Sequence, residues 1–257
     1  MKIALIQFEP VFGDLKSTIE SLKVLLFRAK EADLVVLPEL ANTGYNFDSR
    51  EEAFGQSETV KDSVFLDFIQ ESCLQYNFTV ATGFSEKDGD QLYNSAVLMN
   101  ATGLVGTYRK LHLFMNEKNI FEKGNLGLPV CIVDDVKIGI LVCFDWMFPE
   151  VWRKVALQGV GLILHPSNLV LPYAQSVSSS DALVNSIFIA TAYRIGTEKE
   201  LSFTGQSIIV NPRGEVLAKA DKLEQILFVD IDPKLSRDKM ITKNNDVFKD
   251  RRTDIYE

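Results

Sequence analysis

Apolar and polar positions follow two different periods along this chain, and together these predict strands alternating with helices. Short apolar runs rich in Val, Ile and Leu, bounded by turn residues, predict buried strands. These runs lie at 2–8, 34–37, 78–84, 91–99, 104–107, 136–142, 162–164, 188–193, 206–211, 215–220 and 225–231. Apolar residues recurring about every 3.6 positions on one face predict helices. Those stretches lie at 15–32, 59–76, 150–157 and 178–186.

The order of these elements favours an α/β fold. Strands that alternate with helices, mixed with strands that follow one another directly, predict mixed sheets with helices on their outer faces. Periodicity alone does not separate two stacked sheets from one doubly wound sheet. The chain has 257 residues, 46% of them hydrophobic, which is enough to bury a large core. Because no internal repeat or linker-like segment interrupts it, we expect a single domain over residues 1–257.

Composition excludes several classes of function. A formal net charge of −8 argues against a nucleic-acid partner, which needs a basic surface. No apolar stretch reaches the ~18 residues needed to span a bilayer, and the N-terminus lacks a cleavage site, so no membrane partner is expected. The three cysteines and two histidines show no ligand-like spacing, and no cofactor motif is present. We therefore expect no metal and no cofactor, and a cytoplasmic location that suits a free thiol.

Cys143 is the first candidate for chemistry. It stands where the predicted strand 136–142 ends, and the Pro149-Glu150 pair that follows can open a helix. A thiol in this position is held rigidly, and N–H dipoles and a nearby cation can ionise it. A single buried cysteine is more often part of the core, so further residues must support the functional interpretation.

Glu39 and Lys110 supply that support. Glu39 follows the predicted strand 34–37, and Lys110 lies shortly after the predicted strand 104–107. Each alone would be read as a surface residue, but open α/β sheets bind ligands at strand ends. A carboxylate, a fixed positive charge and a thiol are the three parts that acyl transfer requires.

Two other interpretations of the cysteine remain open at this point. In one, His112 or His165 is the base for a thiol–histidine pair, although His165 could instead support the loop that carries Asn168. In the other, Cys143 is a redox sensor with Cys73 or Cys131 as the resolving thiol. Cys73 falls on the inward face of a predicted helix and Cys131 in a short strand, which favours a core position for both.

Three motifs resemble the carbon–nitrogen hydrolase family, the nitrilase superfamily. LPEL around Glu39, YRKLHLF around Lys110 and CFDWMFPE from Cys143 agree with the family's Glu–Lys–Cys triad in type, order and local context. EKNIFEKG resembles the family's E-x-x-x-F-x-x-G, which points to Glu117, rather than Glu122, as a second glutamate beside the lysine. The resemblance runs from about residue 2 to residue 252. It implies a four-layer α-β-β-α sandwich of two mixed sheets.

The resemblance also implies the roles of these residues. Cys143 attacks a carbonyl or nitrile carbon and forms a thioester, while Lys110 stabilises the charge that develops on the substrate. Glu39 takes the thiol proton and delivers it to the departing nitrogen. Glu117 orients Lys110 and can raise the proton affinity of Glu39. Residues just after strand ends are candidates for substrate binding: Tyr45, Phe144, Trp146, Asn168 and Tyr173.

The sequence narrows the substrate only partly. The aromatic residues after Cys143 predict an enclosed, partly apolar pocket for a small molecule. No cation other than Lys110 stands near the pocket residues, which disfavours dicarboxylic ω-amides. Asp145 in the place of a glutamate favours a small primary amide over a small nitrile. An N-carbamoyl amine is a further alternative, and a catalytically silent binding protein is the non-enzymatic one.

The C-terminal segment 243–257 bears on assembly. It is polar, with only scattered apolar residues, so we expect it to lack a strand of its own and to pack on a partner subunit. The family pairs subunits through outer helices, which implies a homodimer or a multiple of it. Many members carry Arg where this chain has Asp181 and Glu where it has Val184. Both positions lie on the predicted helix 178–186, so this departure bears on the subunit interface.

Overall fold

The computed structural model describes residues 1–171 and 173–256, with the side chain of residue 256 left out. The strands are β1 Lys2–Gln7, β2 Leu34–Val36, β3 Thr79–Asp88, β4 Gln91–Asn100, β5 Gly103–Arg109, β6 Val130–Val133, β7 Val136–Ile140, β8 Leu162–Ser167, β9 Phe188–Tyr193, β10 Thr197–Glu198, β11 Leu201–Ser202, β12 Ile208–Val210, β13 Val216–Lys219, β14 Gln225–Asp230, β15 Met240–Thr242 and β16 Asn245–Asp246. The α-helices are α1 Leu15–Arg28, α2 Arg50–Gln56, α3 Val64–Tyr76, α4 Glu117–Ile120, α5 Pro149–Leu157, α6 Ala174–Asn185 and α7 Thr253–Tyr256. Two 3-10 helices lie at Cys143–Met147 and Pro233–Arg237.

The strands form two six-stranded sheets with the same plan. The first has the order β14-β1-β2-β3-β4-β5, and the second has the order β13-β12-β9-β8-β7-β6. In the first, β1, β2 and β3 are parallel; in the second, β7, β8 and β9 are parallel. The outer strands of both sheets pair antiparallel. Each sheet therefore has three parallel strand ends at its centre, where ligand sites form.

The side chains of β1 show how the layers arise. Ile3 and Leu5 belong to the apolar core that also contains the second sheet, α5 and α6. Ala4 and Ile6 belong to a separate core shared with α1 and α3. Because successive side chains of a strand point to opposite faces, β1 is buried on both sides. The predicted four-layer α-β-β-α sandwich of two mixed sheets is confirmed.

The predicted elements differ from the observed ones mainly at their ends. The helix predicted from residue 59 begins at Val64, because the side chain of Ser63 caps it by accepting from the Leu66 N–H at 3.0 Å. The helix predicted at 178–186 begins four residues earlier, at Ala174. The short helices α2 and α4 were not predicted. Caps and local turns thus set ends that periodicity leaves undefined.

The C-terminal segment corrects one expectation. Residues 245–246 do form a strand, β16, which pairs with β15 in a short antiparallel ribbon. Nearby, the Lys239 ammonium donates to the carbonyls of Asn185 and Ser186 at the end of α6 and lies over the Phe248 ring. The segment therefore packs on its own subunit through these contacts. Its contact with a partner subunit stays a prediction.

Three further features bear on function: membrane-spanning helices, metal-ligand clusters and the state of the cysteines. Within residues 1–171 and 173–256, no helix is both long and apolar enough to cross a membrane. The same residues contain no group of three or more His, Cys, Asp and Glu arranged to hold a metal. All three cysteines are free and buried. Any reactive thiol must therefore be reached through a pocket.

Candidate active site

The backbone around Glu39 is fixed by its contact with β3. Beyond β2, the Leu37 N–H donates to the Ala81 carbonyl at 2.8 Å, and the Gly83 N–H donates to the Pro38 carbonyl at 3.0 Å. A Cβ at position 83 would lie 2.3 Å from the Glu39 Cα, so only glycine allows this approach. The Glu39 side chain has no exposed surface. Its carboxylate is thus held inside the protein at the carboxyl end of the sheet.

Lys110 is held in a similar way at the end of β5. Its N–H donates to the Asn94 carbonyl on β4 at 2.8 Å, and its own carbonyl accepts from the Gly124 N–H at 2.9 Å. A Cβ at position 124 would lie 2.0 Å from the Arg109 carbonyl oxygen, so the close approach again requires glycine. The Lys110 side chain is fully buried. A buried ammonium needs nearby acceptors of opposite charge.

Two carboxylates provide those acceptors. The Lys110 Nζ donates to Glu39 Oε1 and to Glu117 Oε1, each at 2.7 Å. Glu117 is the first residue of α4 and is buried. The structure therefore brings Glu39, Lys110 and Glu117 into direct contact. With both carboxylates ionised, the cluster would carry one net negative charge.

Further donors orient the two carboxylates. Glu39 accepts from the Asn94 side-chain amide at 2.7 Å and from the Asn168 N–H at 2.9 Å. Glu117 accepts from the Tyr45 hydroxyl at 2.7 Å. The side-chain amide of Asn168 also donates to the Glu39 carbonyl at 2.9 Å. Glu39 is thus held by donors from both sheets, because Asn94 belongs to the first and Asn168 follows β8 of the second.

Cys143 opens a 3-10 helix immediately after the apolar segment that continues β7. Its φ is +42°, in the left-handed region that a non-glycine residue rarely adopts. The thiol donates to the Asn168 carbonyl, with the sulfur and oxygen 3.6 Å apart, and only 4% of the residue is exposed. The expected strand end and the helix that begins at Pro149 are both present. The chain therefore presents this thiol on a sharp, well-fixed turn.

Burial and charge set the protonation of the cluster. Burial raises the pKa of Glu117, and the charge of Glu39 raises it further, while Lys110 lowers it. Burial lowers the pKa of Lys110, but Glu117 and Glu39 more than offset this, so the net pKa lies above the usual value. Burial raises the pKa of the Cys143 thiol well above its usual value; Glu39 adds to this and Lys110 opposes it. Lys110 thus acts in the expected direction, but burial outweighs it, and the net shift favours the neutral thiol, whose proton a base would remove during attack.

Three of the predicted substrate-binding residues share one cavity with the thiol. Phe144, Trp146 and Asn168 line it together with Cys143. Its volume is about 10 Å³, which is room for about one water molecule. Phe114 and residues 169–171 complete the wall and were not predicted; the latter follow Asn168 directly in sequence. None of these lining side chains is charged.

The other two predicted binding residues lie elsewhere. Tyr45 is not among the residues that line this cavity; its hydroxyl is bonded to Glu117, and burial raises its pKa well above the usual value. Tyr173 is 59% exposed and is also absent from the lining. The expectation of direct contact from these two tyrosines is therefore not supported by the geometry. Asn94, which bonds Glu39 directly, was not among the predicted site residues.

The two histidines are occupied by other partners. His165 Nε2–H donates to the Cys143 carbonyl at 3.0 Å, which leaves Nδ1 to accept from the Thr191 hydroxyl at 3.2 Å. Burial lowers the pKa of His165 to about 4, so its ring is neutral near pH 7. The ring of His112 is bonded to Asp145. Neither of these bonds reaches the thiol, so the thiol–histidine interpretation gains no support; His165 supports the cysteine turn itself.

The remaining cysteines lie in the core, as expected. Cys73 packs between the first sheet and its helices, and its thiol donates to the Met99 carbonyl, 3.5 Å away. Burial raises the pKa of Cys73 to about 12 and also raises that of Cys131. Neither thiol has a cation that lowers its pKa, whereas Cys143 has Lys110. They are therefore poor partners for a redox switch.

Asp145 does not act as a pocket residue. It is fully buried and absent from the cavity lining, and its carboxylate is bonded to Tyr108 and His112. The reasoning that used Asp145 to favour amides over nitriles therefore has no basis in the geometry. The choice of substrate must rest on the residues that do line the cavity.

Comparisons with known proteins agree with the motifs. A family model described as carbon-nitrogen hydrolase matches residues 2–239. A protein from Pyrococcus abyssi named nitrilase is 42% identical over 259 residues, covering 100% of this chain and 99% of that protein. N-carbamoylputrescine amidase from Arabidopsis thaliana is 30% identical over 254 residues, covering 89% of this chain and 84% of that protein. An amidase structure from Nesterenkonia sp. AN1 has a TM-score of 0.85 at 25% identity, covering 100% of this chain and 98% of that one.

These matches extend over nearly the whole chain and include the segments that carry Glu39, Lys110 and Cys143. They confirm the resemblance drawn from the three motifs. The protein therefore belongs to the carbon–nitrogen hydrolase family of the nitrilase superfamily and is a thiol-dependent carbon–nitrogen hydrolase.

Proposed function

We propose that this enzyme hydrolyses small, uncharged primary amides to the acid and ammonia through a thioester on Cys143. The observation that carries the proposal is the unpaired side-chain oxygen of Asn168. This Oδ1 is buried and has no hydrogen-bond partner among the described residues, yet Asn168 lines the cavity at the thiol. A buried carbonyl oxygen without a donor is costly, and the N–H of a bound amide would satisfy it. A nitrile has no N–H to offer.

The first half of the reaction forms the thioester. Glu39 takes the proton of the Cys143 thiol as the sulfur attacks the amide carbon. The electron pair of the carbonyl moves to oxygen, where the Lys110 ammonium and the backbone N–H of Phe144 stabilise the negative charge. Glu39 then gives its proton to the nitrogen, the C–N bond breaks and ammonia leaves. The Lys110–Glu39 contact of 2.7 Å supports this pairing of roles.

The second half releases the acid. Glu39 removes a proton from water as the water oxygen attacks the thioester carbon, and the sulfur leaves and recovers that proton. Glu117 accepts from the Lys110 Nζ at 2.7 Å and holds the ammonium in place through both halves. Glu117 Oε1 already accepts from the Lys110 ammonium and from the Tyr45 hydroxyl, which leaves the thiol proton to Glu39.

The walls of the cavity support a small, neutral acyl group. About 10 Å³ of free volume beside apolar and aromatic side chains leaves no room for a long chain unless the walls move. A substrate with a cationic amine or a second carboxylate would find no charged partner among the lining residues. Burying such an unpaired charge costs free energy. This disfavours N-carbamoyl amines that carry a charged tail. A small nitrile is the main rival, because the relative from Pyrococcus abyssi is named nitrilase.

Matched substrates test the proposal. Ammonia release would be measured for each amide and the nitrile of the same carbon skeleton, such as propionamide and propionitrile. We expect a higher kcat/KM for the amide in every pair. A kcat/KM that is tenfold higher for the nitrile, about 1.4 kcal/mol in transition-state binding, would overturn the preference.

Cysteine variants test the thioester route with the same assay. Cys143→Ala should release no ammonia while melting at a temperature close to that of the wild type. Cys73→Ala is the matched control, because it also removes a buried thiol. It should lose some stability through the cavity it leaves but keep its kcat. Ammonia release by Cys143→Ala near the wild-type rate would contradict the mechanism.

A further inference from the structure

The proposed chemistry needs Lys110 and Cys143 at a fixed separation, but they come from different sheets. Lys110 follows β5 of the first sheet, and Cys143 follows β7 of the second. A displacement of about 1 Å between reacting groups can cost on the order of 10²-fold in rate. Some group must therefore tie the two segments together.

We propose that Asp145 is the positioning residue that fixes Lys110 relative to Cys143. Its Oδ2 accepts from the Tyr108 hydroxyl at 2.7 Å and from the Val142 N–H at 2.9 Å. Its Oδ1 accepts from the His112 ring at 2.7 Å and from the His112 N–H at 3.3 Å. The residue has no exposed surface. One carboxylate thus joins both segments.

The sequence positions of these donors make the link specific. Tyr108 and His112 stand two residues before and two residues after Lys110. Val142 immediately precedes Cys143. A shift of either segment would therefore stretch hydrogen bonds to the same buried carboxylate, and such bonds to a charged acceptor are strong.

A second contact reinforces the same connection. The His112 ring stacks on the ring of Phe148, with centroids 3.7 Å apart and planes 11° apart. Phe148 stands between the 3-10 helix that begins at Cys143 and helix α5. The backbone carbonyl of Asp145 also accepts from the Trp152 indole at 3.1 Å. The Lys110 segment is thereby packed on the turn as well as bonded to it.

Only a carboxylate satisfies this arrangement. Each oxygen of Asp145 faces one backbone N–H, from Val142 or from His112, and a backbone N–H cannot become an acceptor. The amide group of an asparagine would therefore turn its own NH₂ toward one of these donors in either orientation. Asp145→Asn keeps the size and shape of the side chain but must break part of the link.

This inference rests on the proposed roles of Lys110 and Cys143, so the test uses one readout that needs no substrate. The first measurement is the rate at which iodoacetamide alkylates Cys143, followed on its peptide by mass spectrometry across a range of pH. Lys110 lowers the pKa of this thiol. In Asp145→Asn we expect slower alkylation and a midpoint displaced to higher pH, because the ammonium is no longer held near the sulfur.

The second measurement is amide turnover. Asp145→Asn should lower kcat by about 10- to 100-fold with KM changed less than about threefold, since the substrate walls are untouched. Tyr108→Phe removes a single donor to the same carboxylate and serves if the first variant does not fold. It should lower kcat by a smaller factor in the same direction.

The matched control is Gln7→Leu. Gln7 is also fully buried, and its side chain makes four hydrogen bonds, to the carbonyls of Asp221 and Leu223 and from the N–H and hydroxyl of Ser207. It should lower the melting temperature but leave kcat and the alkylation of Cys143 unchanged.

The results of these measurements distinguish a failure of the positioning role from a failure of the proposed function. Asp145 and Tyr108 variants that resemble this control, with only the melting temperature lowered, would overturn the positioning role. Slower alkylation in Asp145→Asn would support the positioning role even if the wild type turned over no amide. The absence of amide turnover by the wild type would refute only the proposed function.

Discussion

At the scale of single residues, the ammonium of Lys110 carries the largest electrostatic consequences. It is fully buried and shared between Glu39 and Glu117 at 2.7 Å each. Removing one member of a buried ion cluster leaves the others uncompensated, which costs more than the loss of an exposed pair. Substitutions here should therefore change both chemistry and stability, and kinetic measurements must be made on folded protein.

The prediction at this scale compares two substitutions. Lys110→Met should lower kcat by at least about 10²-fold, because the charge on the substrate oxygen loses its donor. Glu117→Gln should lower kcat by a smaller factor and leave KM nearly unchanged, since it misorients Lys110 without touching the substrate walls. Steady-state kinetics with the preferred amide checks both.

The control for this pair is Glu122→Gln. Glu122 belongs to the same EKNIFEKG motif, but it is exposed and pairs with Arg50, at 3.4 Å, rather than with Lys110. It should keep the wild-type kcat. A Lys110→Met enzyme in which only KM rises would move Lys110 from charge stabilisation to substrate binding.

At this scale, the sequence allowed only some of the residues of the candidate site to be predicted. Glu39, Lys110 and Cys143 were recognisable because a strand end followed by a reactive side chain is visible in the sequence. Asn94 and Asp145 were not, because their partners Glu39 and Tyr108 lie 55 and 37 positions away. A hydrogen bond over that separation leaves no periodic pattern in the sequence.

At the scale of elements, helix α6 contains an unusual buried acid. Asp181 is only 6% exposed, and its Oδ2 has no hydrogen-bond partner among the described residues. Burial raises its pKa to about 7. The folded state therefore binds a proton more tightly than the unfolded state, whose Asp pKa is near 3.8. Stability consequently falls as the pH rises from about 4 to about 7 and stays lower above that.

The prediction for α6 follows from this loss of stability with rising pH. Asp181→Asn should be more stable than the wild type at pH 8, by an amount on the order of a few kcal/mol, because no charge is left to bury. The gain should shrink toward zero near pH 4, where both proteins are neutral at this position. Chemical denaturation at the two pH values measures it.

The exposed Glu71 on α3 provides the comparison for Asp181. Glu71→Gln should show no such pH-dependent gain. An Asp181→Asn protein with the same stability difference from the wild type at both pH values would contradict the account.

The limits of element prediction are visible at α2. This seven-residue helix begins after Ser49, whose hydroxyl accepts from the Glu52 N–H at 3.1 Å, while Glu52 accepts from the Asp48 N–H. A serine followed three residues later by glutamate resembles a capping box, so a helix start was visible here. Its apolar face was too short for the 3.6-residue period to reveal, and the helix was missed.

At the scale of the whole molecule, the outer surface of α6 bears on assembly. Helices α5 and α6 contact each other, and Leu183 and Val184 on α6 are 36% and 46% exposed. Apolar side chains on an outer helix are candidates for a covered surface. We expect a homodimer, or a multiple of it, in which a second copy packs on this face and the C-terminal segment contacts it.

Light scattering at micromolar concentration tests this assembly. The wild type should have at least twice the mass of one chain, and Leu183→Glu should shift the mass toward that of a monomer. Val24→Glu is the matched control, since Val24 is 58% exposed on α1, on the opposite outer layer. An active monomer of the wild type would contradict the prediction.

The architecture could be predicted only in part at this scale. The alternation of strands and helices predicted mixed sheets, because buried strands and one-sided helices leave clear periods in the sequence. The stacking of the two sheets came from the family resemblance. Their contact is made by residues such as Leu5 and Leu164, whose apolar character gives no indication of which partner they face.

The shared plan of the two sheets has a consequence for how the enzyme can be inactivated. Glu39 and Lys110 are carried by one sheet, whereas Cys143 and Asn168 are carried by the other. Neither sheet holds the complete set of proposed reacting groups, so the proposed activity depends on the junction between the sheets. A sliding or opening of the sandwich would abolish turnover while every strand kept its own neighbours. Loss of activity is therefore an early indicator of loosening between the sheets, ahead of any loss of secondary structure.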